Sequence, residues 1–435
     1  MKQDKVILGD GCIYEMGGQI NDNIVVVGGT GCGKTMSVSE PRLLETHNAS
    51  LVISLSKRKL VKKYTPVFKE RGYNVLDMNF ADPQSANCGY DPLAYVKTDS
   101  DIRFLAESIV KANPQKLSKN NADPFWDDAA ISLLSAEIAL IQYQKGEEAT
   151  FADVIDLHNS LTVEDDGAVI KTSLDRTFGL LSIREPNHYA CICWRTFRVL
   201  PIKTAACVFS ALNVTLDTIF TKELCKMIRS ANRIDFEKLS TEKTILFITT
   251  SAVNPALNNF INLFYGTCFK SLFEFAEKRP SGALPRPVHI LCDDFAVGCR
   301  VNHFEQYISI FREKGISVSL LLQSESQLDA LYGKDEATTI INNADTYVFM
   351  GGMDIKTARM VSEKANVPLD EILYLPIGQI VIFRRGQRPI FTTRYSITEN
   401  EQYRKIESAY ELSCAKEAVL RDSLGRFRGR RETAC

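Results

Sequence analysis

The sequence predicts an α/β fold, in which a parallel β-sheet is covered by helices and interrupted by an inserted all-α segment. Short apolar strands alternate with helical segments towards both ends of the chain, which is typical of a parallel sheet. Between about Asp99 and Leu239 the strand signals vanish and long helical segments dominate. The length of 435 residues and 45% hydrophobic content allow two or three domain-sized units, and the net charge of −1 excludes a uniformly basic nucleic-acid coat.

The strands of this fold are short apolar runs, and the helices between them carry apolar residues at helical spacing. Residues 57–71 form one such helix, which Gly72 ends. The final strand is expected to pair with residues 389–395, and a closing helix over 399–419 leads into a basic tail. The predicted strands are 24–27, 51–55, 73–76, 244–249, 288–291, 317–322, 347–350 and 379–383.

A glycine-rich loop follows the first apolar strand and precedes a helix over 36–44. It reads GGTGCGKT and matches the spacing Gly-x4-Gly-Lys-Ser/Thr of a phosphate-binding loop. Its glycines let successive N–H groups cradle a β-phosphate, Lys34 would reach the β- and γ-phosphates, and the Thr35 hydroxyl would join a Mg²⁺ shell. The sequence therefore predicts ATP and Mg²⁺ binding by Gly28, Gly29, Thr30, Gly31, Cys32, Gly33, Lys34, Thr35 and Met36.

Two adjacent acids end the buried-looking strand in PVHILCDDF. We expect Asp293, on a strand neighbouring the loop strand, to hold Mg²⁺ through water. Asp294 stands where many ATPases with this kind of phosphate-binding loop place the glutamate that orients the attacking water. It is one methylene shorter, and this puts fast turnover in doubt but not nucleotide binding. Two solvated carboxylates at a strand end are the plainer alternative.

Gln323 ends the strand SVSLLLQ, beside the acidic strand. A polar side chain there can reach the γ-phosphate and report its loss to the fold, although a strand-end Gln is often only a loop residue. The domain prediction is a nucleotide-binding domain in two halves, 1–98 and 241–397, with an all-α insertion over 99–240 and a C-terminal helix and tail over 398–435.

The remaining composition favours a soluble cytoplasmic protein. Twelve cysteines without regular spacing fit a reducing compartment, and the polar start MKQDKVILGDG is not a signal peptide. No stretch reaches the roughly 18 apolar residues of a membrane helix, and the nearest, Ala129–Tyr143, is interpreted as a core helix.

These motifs, in their order, resemble those of the type IV secretion coupling proteins, the TraG-like ATPases of conjugative DNA transfer. The resemblance covers nearly the whole chain from Asn23. Beyond the loop and Lys57, it rests on these segments: RGYNVLDMNFADPQSANCGYDPL, DPFWDDAAISLLSAEIAL, LCDDFAVG, REKGISVSLLLQSESQLDALYG, NNADTYVFMGGMD and LPIGQIVIFRRGQRPI.

The resemblance implies a RecA-like fold and a hexameric motor related to the FtsK and HerA translocases. Such motors deliver single-stranded DNA with an attached relaxase to a secretion channel. It implies that Lys34 and Thr35 hold phosphates and Mg²⁺, that Asp293 completes the Mg²⁺ shell and that Gln323 contacts the γ-phosphate. Arg312 becomes a candidate arginine finger for a neighbouring subunit's nucleotide, or else a helix C-terminal cation favoured by the dipole.

Two departures from the family pattern keep alternatives open. Most members begin with two membrane helices, whereas no membrane helix is expected in this sequence. This difference suggests a soluble variant that docks onto a separate membrane anchor protein at the inner face of the membrane, or a product lacking the anchor. The region near Lys57, which usually holds an acidic residue, reads SLSKRKL. An ATP-binding docking platform with little hydrolysis, and a cytoplasmic HerA/FtsK-like DNA translocase, are the alternative functions.

Three weaker signals have plainer explanations. The lysine-rich helix 57–71 could track DNA, but a solvated face is the default. The arginine-rich tail is expected to be disordered until it meets a partner, and a solvated tail with no role is the plainer alternative. His188, Cys191 and Cys193 lack a fourth metal ligand and are expected to serve the fold.

Overall fold

The computed structural model describes residues 3–55, 58–111, 124–165, 170–250, 256–293, 295 and 300–432. The strands are β1 Lys5–Gly9, β2 Cys12–Glu15, β3 Ile24–Val27, β4 Ser50–Leu55, β5 Asn74–Asn79, β6 Val163–Asp165, β7 Ile170–Thr172, β8 Thr244–Thr249, β9 Val288–Cys292, β10 Ile316–Leu322, β11 Thr346–Phe349, β12 Gln379–Arg384 and β13 Ile390–Thr393. The helices of the first half are α1 Glu40–Glu45, α2 Arg58–Glu70, α3 Asp99–Lys111, α4 Pro124–Lys145, α5 Phe151–Ser160, α6 Asp175–Arg184, α7 Tyr189–Arg198 and α8 Ile202–Ile219. They are followed by α9 Lys222–Ile228, α10 Lys238–Thr241, α11 Ala256–Glu277, α12 Phe304–Lys314, α13 Glu325–Tyr332, α14 Lys334–Asn342, α15 Ile355–Ala365, α16 Leu369–Leu373 and α17 Glu401–Glu432.

Among the described residues, nine strands form one sheet in the order β13-β12-β11-β3-β10-β9-β4-β8-β5. All neighbours from β11 to β5 are parallel, and β12 and β13 are antiparallel additions. The predicted α/β class, with its final antiparallel pair, is confirmed. The predicted adjacency of the acidic strand and the loop strand is wrong, because β10 lies between β3 and β9.

The central strands are buried on both faces, as expected for a parallel sheet covered by helices. Val25 and Val27 of β3 belong to one hydrophobic cluster, and Ile24 and Val26 belong to another. Successive strand side chains point to opposite faces of the sheet. The alternation therefore supplies one core above the sheet and one below it.

The segment between β5 and β8 is mostly helical. The prediction of a core helix near Ala129–Tyr143 is confirmed by α4, in which Leu133, Leu134 and Ile138 are fully buried. The absence of strands expected here is wrong in one detail, because β6 and β7 form a short antiparallel pair. Among the described helices α8 alone meets the length and hydropathy of a membrane span, and its face bearing Val208, Leu212 and Leu216 is buried in the core.

The helical segment is tied to the sheet where the chain enters and leaves it. The Gly89 N–H donates to the Asn232 carbonyl, and the Ile234 N–H donates to the Gly89 carbonyl. Asp91 is buried and accepts hydrogen bonds from Leu93 and Phe151 backbone N–H groups and from Arg233. Burial raises the pKa of Asp91 to about 6 although these donors oppose the shift. The Asp-Pro-Leu motif thus joins three chain segments.

The N-terminal and C-terminal segments also pack on the sheet. The β1–β2 hairpin, which the sequence did not predict, contacts the closing hairpin through the Asp10 N–H and the Thr393 carbonyl. The helix α17 continues to Glu432, so the expectation of a disordered tail is wrong. The glycines and charges of the tail favour disorder, but its backbone continues the helix that begins at Glu401.

Candidate nucleotide-binding site

The loop 28–35 lies at the carboxyl edge of the sheet and connects β3 to a π-helical turn, Thr35–Ser39, which continues into α1. Gly31 and Gly33 have φ angles of +81° and +92°, in the left-handed region that a side chain disfavours. Cys32 donates its N–H to the Gly29 carbonyl and closes the turn. The N–H groups of Gly31 and Gly33 have no acceptor within the described parts of the chain, which leaves them for an anion.

Gly28 and Gly29 hold the loop against the neighbouring strands. The Gly28 N–H donates to the Leu322 carbonyl at the end of β10, and the Gly29 N–H donates to the Gly351 carbonyl after β11. A Cβ added to Gly28 would lie 2.6 Å from Cys32 Sγ and 2.9 Å from Met350 Cβ. A larger residue at position 28 would therefore clash with Cys32 of the loop itself and with Met350, which follows β11. Thr30 and Met36, the outer members of the predicted set, are exposed.

The Lys34 side chain is folded into the loop. Its Nζ donates to the Gly28 carbonyl at 2.5 Å and to the Gly29 carbonyl at 3.4 Å, and the residue is buried. A buried ammonium needs such acceptors, and a phosphate oxygen can replace them with a stronger, charge-assisted partner. The Lys34 ammonium thus lies within the glycine loop, beside the position where a phosphate would bind.

Thr35 and Asp293 meet although 258 positions separate them in the sequence. The Thr35 Oγ1 donates to Asp293 Oδ2 at 3.3 Å, and the Asp293 N–H is fixed by the Ser54 hydroxyl of β4 at 3.1 Å. A hydroxyl and a carboxylate are the hard oxygen donors that Mg²⁺ prefers, so this pair fits the metal. Burial raises the pKa of the preceding thiol, Cys292, to about 12 and keeps it protonated.

Gln323 follows β10, the strand between the loop strand and the acidic strand. Its Oε1 accepts from Gln327 Nε2 at 3.3 Å, so the side chain is held at the edge where the loop begins. The predicted Asp294 lies outside the described residues.

Arg312 lies at the opposite edge of the sheet from the loop. It is in the last turn of α12, just before β10 begins, and its guanidinium donates to the Gln19 carbonyl on the surface. The seven residues of β10 span about 20 Å at roughly 3.3 Å per residue. Arg312 is therefore apart from the loop of its own chain.

The sequence interpretation missed Arg394. This residue directly follows β13, and β13 runs parallel to β3 because two antiparallel pairings separate it from β11. Its position therefore falls at the loop edge of the sheet, where Arg394 Nη1 donates to the Cys32 carbonyl at 2.9 Å. The signal that could have found it is a cation following the last strand, at the edge where parallel strands end.

The basic face predicted for α2 is largely occupied by contacts within the chain. Arg58 pairs with Asp77 at 2.5 Å, and Lys59 pairs with Glu407 at 2.9 Å. Lys63 is buried between carboxylates, and Arg71 donates to the last carbonyls of α1. These contacts link α2 and the residue after it to β5, α17 and α1, while Lys57 lies outside the described residues.

The proposed structural role of the His188 segment agrees with its contacts. His188 Nδ1 accepts from the Ala190 N–H as the N-cap of α7, and Cys191 and Cys193 are buried. The described part of the chain holds no cluster of three or more His, Cys, Asp or Glu residues suited to a metal ion.

Solved structures with similar folds were found over most of the chain. The plasmid coupling protein TrwB in complex with the non-hydrolysable ATP analogue ADPNP has a TM-score of 0.66 and 19% identity, covering 86% of this chain and 85% of that one. TrwB with ADP and Mg²⁺ has a TM-score of 0.66 and 18% identity, covering 86% and 84%. VirB4 of Thermoanaerobacter pseudethanolicus has a TM-score of 0.53 and 11% identity, covering 90% and 96%. No curated protein matches the sequence significantly.

The fold and the glycine loop are those of the P-loop class of proteins. Within that class, the model of the family described as Type IV secretory system Conjugative DNA transfer matches residues 1–365. The chain belongs to this family and is a conjugative DNA-transfer protein. The family resemblance predicted from the sequence is confirmed.

Proposed function

We propose that the chain binds ATP with Mg²⁺ and couples its hydrolysis to the delivery of single-stranded DNA, with an attached relaxase, to a type IV secretion channel. The observation that carries the proposal is the contact of Thr35 Oγ1 with Asp293 Oδ2 beside the glycine loop. Nucleotide binding by the similar TrwB structures and membership in a DNA-transfer family support it.

Each site residue has a role that follows from its position. The N–H groups of Gly31 and Gly33 would bind phosphate oxygens, and Lys34 would exchange its loop carbonyls for the β- and γ-phosphates. Thr35 and Asp293 would hold Mg²⁺, which supplies charge stabilisation of the phosphate oxygens when bound. Gln323 would contact the γ-phosphate from the strand between them.

Arg312 has a proposed role only between subunits. Because it lies at the sheet edge opposite its own loop, it can serve as an arginine finger only for the nucleotide of a neighbouring copy. This arrangement requires a second copy of the chain, and we propose a homo-hexamer at the cytoplasmic face of the membrane, joined there to the channel or to an anchor protein. Asp294, which follows Asp293, is proposed to orient the attacking water.

The first test measures nucleotide affinity by titration with a fluorescent ATP analogue in the presence of Mg²⁺. The variant Lys34→Ala should lose binding by a factor of about 100 or more, since charge-assisted contacts contribute roughly 1.5–3 kcal/mol each and two phosphates are involved. The exposed Lys69→Ala serves as the control. Normal affinity in the Lys34 variant would refute the site assignment.

The second test separates a motor from a docking platform. The steady-state ATPase rate is measured with and without single-stranded DNA over a range of protein concentrations, with Asp293→Asn as the inactive control. A rate that rises with DNA and concentration, and disappears in the control, supports the ring-forming motor. Tight ATP binding with a flat, near-zero rate would refute the motor and support a platform that recruits cargo.

A further inference from the structure

Arg394 is an arginine that the closing hairpin brings to the nucleotide loop. Its backbone is fixed, because the Arg394 N–H donates to the Gly378 carbonyl at 2.7 Å, just before β12. Its side chain is half-buried, and Nη1 donates to the Cys32 carbonyl at 2.9 Å. The hairpin therefore determines where the guanidinium lies relative to the loop.

The guanidinium lies directly against Gly33. A Cβ built on Gly33 would be 2.6 Å from Arg394 Nη1 and 3.4 Å from Cζ. Gly33 also presents an N–H that has no acceptor within the described residues. A fixed cation and a free backbone donor thus stand at the same residue of an anion-binding loop.

Most of the donors of this guanidinium remain available. An arginine carries five N–H donors, and the Cys32 carbonyl takes one of them. None of the acidic residues described in the structure pairs with Arg394. A half-buried arginine without a carboxylate partner favours an anionic ligand, because the planar guanidinium matches phosphate geometry.

Lys34 belongs to the loop itself, whereas Arg394 reaches it from the C-terminal hairpin. Lys34 Nζ is directed towards the Gly28 and Gly29 carbonyls, whereas Arg394 reaches the Cys32 and Gly33 part of the loop. The two cations thus hold different parts of the loop, and neither replaces the other.

We propose that Arg394 is a nucleotide-binding residue that contacts the phosphate chain in cis, from the C-terminal hairpin, and that this inference rests on the proposed ATP binding. The guanidinium stays anchored on the Cys32 carbonyl through one N–H and donates others to phosphate oxygens. Nucleotide affinity in this chain then depends on a hairpin some 360 residues beyond the loop that it contacts.

The test compares Arg394→Ala, Arg394→Gln and Arg394→Lys by titration with fluorescent ATP and by competition with inorganic tripolyphosphate, both with Mg²⁺. Arg394→Ala should weaken both ligands about ten- to hundredfold, which corresponds to one charge-assisted contact. Arg394→Gln should be as weak as Arg394→Ala, since an amide can bond to the Cys32 carbonyl but carries no charge. Arg394→Lys should recover part of the affinity.

Arg388→Ala is the matched control, because Arg388 is exposed in the turn of the same hairpin, away from the loop edge. Thermal melting of each variant without nucleotide checks the fold. If Arg394→Gln binds as the wild type does and only Arg394→Ala is weak, the residue merely anchors the loop and the proposal is wrong. Wild-type affinity in all three variants would also overturn it while leaving the proposed function standing. A wild-type chain that binds neither ligand would refute both.

Discussion

A buried lysine fastens the C-terminal helix to the helix that follows the nucleotide loop. The Lys63 side chain is 1% exposed, donates to Glu40 Oε2 at 2.7 Å and pairs with Glu407 of α17. Its Nζ lies 3.8 Å from the centroid of the Tyr403 ring. Burial alone would lower the pKa of Lys63, but the hydrogen bonds that its ammonium donates to both carboxylates outweigh burial, and the pKa is raised.

We predict that Lys63→Met destabilises the protein by about 3 kcal/mol. Removing one member of a buried ion pair costs about 3–5 kcal/mol, because the remaining charge loses its partner. The lower end applies here, since Tyr64 still donates to Glu40 at 3.0 Å and Lys59 still pairs with Glu407, whose side chain is 21% exposed. If the loss is local, α17 should detach roughly 150-fold more often.

Hydrogen exchange of the backbone amides in residues 401–416 measures this detachment, and thermal melting measures the global effect. The melting temperature should fall by about 3 °C, since unfolding entropy is roughly 2 cal/mol/K per residue. Lys69→Met is the control, because Lys69 is exposed in the last turn of the same helix. Equal exchange rates and equal melting temperatures in the two variants would refute the account of the Lys63 cluster.

Three further predictions concern stability and the metal site. Gly89→Ala should lower the free energy of unfolding by about 1–3 kcal/mol, since the added Cβ would lie 2.4 Å from the Met227 carbonyl oxygen. Gly179→Ala, inside α6 with open space around it, should be neutral or stabilising. Urea unfolding that finds the same sign for both variants would contradict this. Burial lowers the pKa of His289 to about 3, so the unfolded chain binds the proton more tightly below pH 6.5, and stability should fall by up to about 1.4 kcal/mol per pH unit from 6.5 towards 3. His289→Gln should reduce that slope in urea unfolding at pH 6.5, 5.5 and 4.5, and an unchanged slope would refute the assignment. Thr35→Val should abolish the Mg²⁺ dependence of ATP affinity, measured by titration with and without chelator, and a preserved dependence would argue against the Thr35–Asp293 pair.

Local sequence patterns predicted most of the strands, because each strand is a continuous buried run bounded by helix signals. The β8 prediction agrees with the structure at both ends, and those for β4, β9 and β10 agree to within one residue at each end. The β1–β2 hairpin was missed although its Asp10–Gly11 turn is a recognised hairpin signal and Gly11 has a φ of +69°.

The order of strands in the sheet could not be obtained from local patterns. It depends on which buried faces pack together over long sequence distances, and this placed β10 between the loop strand and the acidic strand. The sequence shows that Arg394 is a cation following the last strand, but its contact with Cys32 could not be predicted, because that contact forms only when β12 and β13 join the sheet. The ion pairs of the α2 cations could not be predicted either, because their partners lie on α17 and β5, far away in the sequence.

The contact between the helical segment and the sheet has a mechanical consequence. One continuous hydrophobic cluster includes Val25 of the sheet, Leu133 of α4 and Phe264 of α11, and Tyr90 donates to Thr267 of α11 at 2.8 Å. Because this shared interior is close-packed, it resists rotation of the helices relative to the sheet. In the homo-hexamer proposed above, each copy would therefore move as one stiff body, and motion driven by nucleotide would occur at the contacts between copies.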